Sequence, residues 1–285
     1  QRGFKDVDKG SLVTFSGTAT RLAQKLVVSE VCCHQGSADK NENWRLSTVD
    51  VKKAFLKGIT YEELAKITGE PLRIVNFELD PRAVAVLRKF KGFEDYDPYY
   101  EVLGNTMPGT GCVDAPQCFG IKLDMAFKKF GATSAVYDKH LRIRKNGNVD
   151  FVGTDHVDDI KIACNDRVFH EFVRTFEDVF GKGELDITRD NFTNCGIQHV
   201  LTPAGYELSQ ADYISALKPI RDPELTGANP ADSLNERLAK LFLSLLMALA
   251  FCLQTRVDLA IYIVALQRFA QGPNAEHIKK LNTIV

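Results

Sequence analysis

Apolar residues recur along the chain at two different spacings, and together these spacings predict a mixture of helices and strands. Residues 21–33 follow the helical period, whereas Trp44–Val51 is a short apolar-rich run of strand length that contains Asp50. Further helices are predicted over 60–69, 119–130 and 166–180, with Asn165 or Asp166 as the cap of the last one and Gly181 at its end.

The clearest strand signal is a hairpin in the middle of the chain. Leu141–Arg144 and Val149–Gly153 flank Asn146-Gly147, a dipeptide typical of tight turns. Ile160–Ala163 is the next predicted strand, and it follows a predicted turn at His156–Asp159. Two further extended stretches are predicted over 192–200 and 206–208.

The pattern changes in two other regions. Pro71–Asp97 has no regular period and is rich in charge, so we interpret it as an insertion or a mobile finger. After residue 208 the period becomes helical throughout, with predicted helices over 211–217, 234–253, 257–271 and 274–284.

Composition narrows the class of protein. The chain has 285 residues, 45% hydrophobic and 26% charged, as is ordinary for soluble globular proteins. Its longest apolar run, Leu241–Leu253, is shorter than the roughly 20 residues that cross a bilayer. The seven cysteines lack the paired spacing of a disulfide or zinc framework, which favours a reducing compartment. The net charge of −1 is low for a nucleic-acid protein, but basic residues concentrate between Ile121 and Lys145 and predict a phosphate-facing patch; a solvated helix face is the alternative.

Two acidic elements carry the candidate chemistry. Asp50 lies near the end of an apolar strand, and Asp158-Asp159 lie at the turn between two β-prone stretches. Adjacent carboxylates repel each other unless cations lie between them, and hard divalent cations prefer such oxygen ligands. Three carboxylates on neighbouring strands would suit two metal ions. On pattern alone, an exposed acidic turn is the simpler interpretation.

A family resemblance changes that balance. Val49–Gly58 resembles the first catalytic motif of copia-type retrotransposon reverse transcriptases, and His156–Asp159 resembles their Tyr-Val-Asp-Asp box. Other blocks similar to that family follow in the same order along the chain: Phe15–Arg21, Gly111–Pro116, Leu208–Ile214, Thr255–Ala260 and Phe269–His277.

The resemblance implies a role for each matching residue. Asp50, Asp158 and Asp159 would be catalytic and, with Val51, would hold two Mg²⁺ ions, with Mn²⁺ as a substitute. Backbone amides of Val51, Lys52, Lys53 and Ala54 would bind the nucleotide triphosphate, Phe55 would exclude a ribose 2′-hydroxyl, and Gly111 would support the incoming base. The residues implied to contact primer or template are His156, Val157, Pro116 and Gly196. For Phe55, a plain core phenylalanine remains the alternative.

The implied fold is α+β, a right-hand polymerase with an antiparallel-sheet palm and fingers over 1–208 and a helical thumb-like region over 209–285. The implied function is RNA-directed DNA polymerisation: dNTPs would be added to a primer 3′-hydroxyl on an RNA or DNA template. The chain would be one part of a Pol polyprotein, in the cytoplasm within a virus-like particle or in the nucleus.

Three departures from the family favour an alternative. His156 replaces a tyrosine, Asp114 replaces a neutral glutamine and adds negative charge where nucleic acid would lie, and the two acidic motifs are unusually far apart. A catalytically inactive transposon remnant, which at most binds nucleic acid, therefore stays open. An unrelated metal-dependent hydrolase is a third hypothesis, but it leaves the C-terminal blocks unexplained.

Overall fold

The computed structural model describes residues 17–35 and 43–285; Phe15 and Ser16 of the first family block lie outside this range. Two compact units divide the chain between Arg189 and Asp190. The fold combines helices with antiparallel sheets, which confirms the α+β class. No helix among the described residues is long and apolar enough to cross a membrane.

The first unit is built on a six-stranded antiparallel sheet. Its strands are β1 (Arg45–Val51), β4 (Thr133–Ser134), β5 (Leu141–Asn146), β6 (Asn148–His156), β7 (Asp159–Cys164) and β8 (Leu185–Arg189), and a separate pair is formed by β2 (Val75–Phe77) and β3 (Leu103–Asn105). The order across the large sheet is β4-β5-β6-β7-β1-β8, so β1 lies between β7 and β8. The predicted hairpin is β5–β6, and Gly147 has the positive φ of 78° that its turn requires.

The described residues of this unit include the helices α1 (Arg21–Cys33), α2 (Tyr61–Thr68), α3 (Pro81–Leu87), α4 (Ala115–Phe130) and α5 (Asp166–Phe180). Their ends follow from local side chains. Thr60 and Glu63 form a capping box at the start of α2, and Asn165 caps α5 by accepting the amide of Val168. The predicted start of α4 was four residues late, because Pro116 is compatible with the first helical turn.

The core lies between the sheet and two of these helices. Apolar residues of α4 and α5, spaced for one helix face, pack on alternate residues of β1, β6 and β7, including the fully buried Val49, Ile160 and Ile162. Phenylalanine supplies much of this layer, and the rings of Phe172 and Phe176 stack at 3.9 Å. Because α1 is not part of this cluster but contacts β6 and β7, it covers the opposite face of the sheet.

The inserted segment is more regular than its sequence pattern predicted. Asp80 caps α3 through the amides of Arg82 and Ala83, and β2 pairs with β3. The expectation of an irregular finger over 71–97 was therefore wrong in this respect, because short elements leave too few residues for a period to show.

The second unit combines a small sheet with a helical core. It contains β9 (Phe192–Asn194), β10 (Ile197–Thr202), β11 (Gly205–Ser209), α6 (Ala211–Ala216), α7 (Glu236–Cys252), α8 (Ala260–Gln267) and α9 (Ala275–Asn282). The strands form an antiparallel sheet in the order β11-β10-β9, and α7, α8 and α9 enclose one apolar cluster. This unit also brings two of the family blocks together, because Thr255 donates a hydrogen bond of 2.9 Å to the buried Gln210.

Candidate active site

Two of the three candidate catalytic residues, Asp50 and Asp159, lie in one row across the sheet. Asp50 on β1 is the direct partner of Asp159 on β7 and of Asp186 on β8, and Asp159 is also the partner of His156 on β6. Directly opposite residues in antiparallel strands share a face, so these four side chains point to the same side of the sheet. The sequence predicted that Asp50 and the acidic turn residues lie on neighbouring strands with Asp158 as the main partner of Asp50, but the register pairs Asp50 with Asp159 instead, and Asp186 was missed.

Asp158 lies beside this row, in the two-residue turn that joins β6 to β7. The other residue of the turn, Val157, has a φ of 61°. A β-branched residue at positive φ is a genuine outlier that costs roughly 1–2 kcal/mol, and such strain concentrates at functional sites. The turn therefore holds Asp158 next to the row, and the backbone strain at Val157 makes this conformation energetically unfavourable.

The carboxylates affect one another electrostatically. Burial, followed by the charges of Asp158, Asp159 and Asp186, raises the pKa of Asp50 above its ordinary value. Burial and then Asp158 raise the pKa of Asp159 in the same direction, while His156 opposes this shift. A cation among these groups would relieve the repulsion.

The residues of the row fit the implied metal ions in donor type but not in arrangement. Carboxylates are the ligand type that Mg²⁺ prefers, and Nδ1 of His156 is buried beside them without a hydrogen-bond partner among the described residues. However, within residues 17–35 and 43–285 no group of three or more His, Cys, Asp or Glu side chains is placed to hold a metal ion. The donor types fit, but their present arrangement is not a ligand set.

The residues after Asp50 form a turn that is attached to the loop between α5 and β8. The amide of Lys52 donates to the carbonyl of Glu184 at 2.9 Å, and its ammonium group pairs with Asp186 at 3.1 Å. That amide is therefore already used, whereas those of Lys53 and Ala54 have no backbone acceptor in the described part of the chain. Lys53 has a φ of 53°, which turns the chain away from the strand.

Phe55 lies in the short 3₁₀ helix that follows, Ala54–Leu56. It is half-buried and meets Phe119 of the core edge-on, with ring centroids 6.5 Å apart. This position is compatible with both interpretations of Phe55, because one edge of the ring packs on the core and part of it stays accessible.

The loop before α4 contains the implied template residues. Gly111 has a φ of 92°, and Pro116 lies in the first turn of α4. Asp114, between them, is only 1% exposed and forms an ion pair with Arg73 of the inserted segment. The expectation that Asp114 adds negative charge to a nucleic-acid surface was therefore wrong, because the carboxylate is buried and neutralised.

A cleft of about 670 Å³ extends from Val157 along α4. It is lined by both apolar and charged residues, among them Gly17, Lys128, Lys139, His140 and Arg142. Arg142 and Arg144 are buried and each pairs with two acidic residues, so they add no free charge to a phosphate-facing surface. The basic patch predicted over 121–145 therefore has less exposed positive charge than its number of basic residues suggests.

Gly196 belongs to the second unit. Together with Cys195 it forms the two-residue turn between β9 and β10, where both residues have positive φ, 49° and 74°. A Cβ atom at Gly196 would lie 2.9 Å from the ring of Phe251. The positive φ and the nearby ring of Phe251 both favour glycine at position 196 on structural grounds. The implied contact of Gly196 with a primer stays a prediction.

Comparison with known proteins adds only distant structural similarity. No family model and no curated protein sequence matches the chain. Among solved structures it is similar to telomerase from Candida albicans in complex with a TWJ fragment of telomeric RNA, with a TM-score of 0.41 and 11% identity over 90% of this chain. The match spans 43% of the telomerase chain, less than half of it, and assigns no residue here.

Proposed function

We propose that the chain is the polymerase core of a copia-type retrotransposon reverse transcriptase, which adds dNTPs to a primer 3′-hydroxyl on an RNA or DNA template. The observation that carries the proposal is the row in which Asp50 and Asp159 are paired and Asp158 lies in the adjoining turn. In this proposal residues 1–208 supply palm and fingers, and residues 209–285 supply the helical thumb-like region.

Asp50, Asp158 and Asp159 would hold Mg²⁺, or Mn²⁺ in its place, and the ions would neutralise charge on the triphosphate and lower the pKa of the primer hydroxyl. Because the side chains do not form a ligand set in this structure, we assign them no coordination geometry. The amides of Lys53 and Ala54 are the nearest candidates for triphosphate oxygens, and Phe55 would contact the sugar.

Partners would be a primer–template, dNTPs and the rest of a Pol polyprotein, inside a cytoplasmic virus-like particle or the nucleus. Direct attack of the primer oxygen on the α-phosphorus would release pyrophosphate, so the protein's contribution is positioning and charge neutralisation. None of the row's side chains needs to form a covalent intermediate.

Primer extension tests the proposal. The chain should extend a DNA primer on an RNA template with Mg²⁺ or Mn²⁺, and Asp50→Asn should abolish extension. Asp178→Asn is the matched control, because it makes the same chemical change on α5 at an exposed ion pair with Lys129. Equal activity of the wild-type chain and folded Asp50→Asn would exclude Asp50 as catalytic.

A second candidate is a nucleic-acid-binding remnant without catalysis. It is favoured by the absence of a preformed ligand set in the described residues and by the engaged amide of Lys52. A folded wild-type chain that binds primer–template but extends it with neither Mg²⁺ nor Mn²⁺ would establish this candidate.

A further inference from the structure

The inserted segment is attached to the loop before α4 by a buried ion pair. Arg73 lies just before β2, its side chain is 12% exposed, and its guanidinium contacts the carboxylate of Asp114, which is 1% exposed. A buried carboxylate is costly without a cation, so this contact fixes where Arg73 and Asp114 lie relative to each other.

Tyr61 contacts the start of the segment and also the chain that follows β3. The guanidinium of Arg73 lies 5.8 Å from the ring centroid of Tyr61, and the amide of Tyr61 donates to the carbonyl of Thr106 at 3.0 Å. Between these points the segment has internal support, since Arg88 donates to the carbonyl of Tyr96 at 3.0 Å and Tyr96 is buried. It is a folded addition with a defined attachment.

Asp114 occupies the cap position of α4 but makes no capping hydrogen bond. Aspartate in that position usually accepts an amide of the first helical turn. Here the carboxylate is directed to Arg73 instead, so the start of α4 depends on a residue of the inserted segment. The fully buried Cys118 lies one turn further on, and burial followed by the charge of Asp114 raises its pKa to about 12.

We propose that Arg73 is a positioning residue: through Asp114 it holds the loop of residues 111–116 in place, and with it Gly111 and Pro116. This inference rests on the proposed function for its consequence, which is that the inserted segment sets how template and incoming nucleotide are seated. The position of the loop can be measured without any polymerase activity.

The test compares Arg73→Met with the double variant Arg73→Met/Asp114→Asn. The single variant should be less stable, because the buried carboxylate of Asp114 loses its cation. The double variant should recover stability, because it removes that negative charge as well. Arg82→Met is the matched control, an exposed arginine on α3 of the same segment. Thermal unfolding establishes which variants are folded before the loop is examined.

Loop position is then measured as alkylation of single cysteines, resolved by peptide mass spectrometry. In Arg73→Met, which keeps the charge of Asp114, and in the double variant, Cys112 and Cys118 should both react at least fivefold faster than in wild type, while Cys164, buried in β7, stays protected. In primer extension the KM for dNTP should rise at least fivefold with kcat within twofold. Wild-type labelling and KM in the folded double variant would overturn the proposal. If the wild-type chain does not extend primers, the labelling still decides whether Arg73 positions the loop.

Discussion

Replacing Asp50 by asparagine should stabilise the protein. Asp50 lies directly between Asp159 and Asp186, and burial, followed by the charges of Asp158, Asp159 and Asp186, raises its pKa. A raised pKa means that the folded state favours the protonated carboxyl. Its contribution to stability is present below the ordinary value of about 3.9 and is lost as pH rises through the raised value. At neutral pH, therefore, the ionised carboxylate costs stability that Asp50→Asn should restore.

The size of the expected gain in stability follows from the strand register. Like charges directly opposite each other in antiparallel strands are destabilising, by roughly 0.2–1 kcal/mol for each pair. Asp50 has two such neighbours, and Lys52, 3.1 Å from Asp186, offsets part of the second repulsion. We therefore expect a gain of about 1 kcal/mol at pH 7.5. For a unit of roughly 150–250 residues this corresponds to a rise in Tm of about 2–4 °C.

Thermal unfolding followed by circular dichroism from pH 4 to pH 8 measures this effect. The Tm difference between Asp50→Asn and wild type should be small at pH 4 and grow as the pH rises. Asp178→Asn should show no gain, because it removes a surface pair with Lys129 rather than a repulsion. A loss of Tm in Asp50→Asn at pH 7.5, or a gain that does not depend on pH, would refute this account of the row.

Three further predictions concern other elements. Val157→Gly should raise stability by about 0.5 kcal/mol in chemical denaturation, because glycine adopts the positive φ of 61° without strain but loses more entropy on folding; a clear loss would mean that the valine side chain contributes more than the strain costs. His277 accepts the amide of Asn274 through Nδ1 at 3.0 Å, and burial lowers its pKa, so this cap should weaken as pH falls below about 6.5. His277→Gln should keep a hydrogen-bond acceptor at this position that does not titrate. Hydrogen-exchange protection of the α9 amides should then fall less at acidic pH than in wild type, and an unchanged pH profile would argue against the cap. Phe55→Val, if the chain polymerises, should raise ribonucleotide relative to deoxynucleotide incorporation, and unchanged discrimination would leave Phe55 as a core residue only.

Elements with a strong period or a distinct cap were predictable from the sequence. The predicted bounds of α1 and α5 agree with the structure, since an apolar face and a cap or terminal glycine define each of them. The β5–β6 hairpin follows from Asn146-Gly147, whereas the register that pairs Asp50 with Asp159 could not be read from the sequence, which indicated only that the two acidic motifs lie on neighbouring strands. The domain boundary at 208/209 stays a prediction about function, whereas by packing the strands β9–β11 belong with the helices.

Features that depend on long-range partners were not predictable. β8 is short and largely exposed, so only the alternation of Leu185 and Ile187 after Gly183 could have indicated it, and Asp186 was missed with it. The charge of Arg142 and Asp114 could be counted in the sequence, but their burial against acidic and basic partners could not. For this reason the sequence overstated how much charge is exposed on the surface.

The stability of the row also bears on which proposed function is correct. The repulsion around Asp50 exists in a polymerase and in an inactive remnant, so Asp50→Asn alone does not separate them. A cation that binds the folded state raises its stability by RT ln(1 + [L]/Kd), which is about 2.7 kcal/mol at a hundredfold excess over Kd. If Mn²⁺ or Mg²⁺ raises the Tm of wild type but not of Asp50→Asn or Asp158→Asn, the side chains assemble around the ion on binding, which supports the polymerase. If neither ion distinguishes these proteins at millimolar concentration, the row is only a destabilising cluster, and the remnant becomes the better explanation even for a chain that still binds nucleic acid.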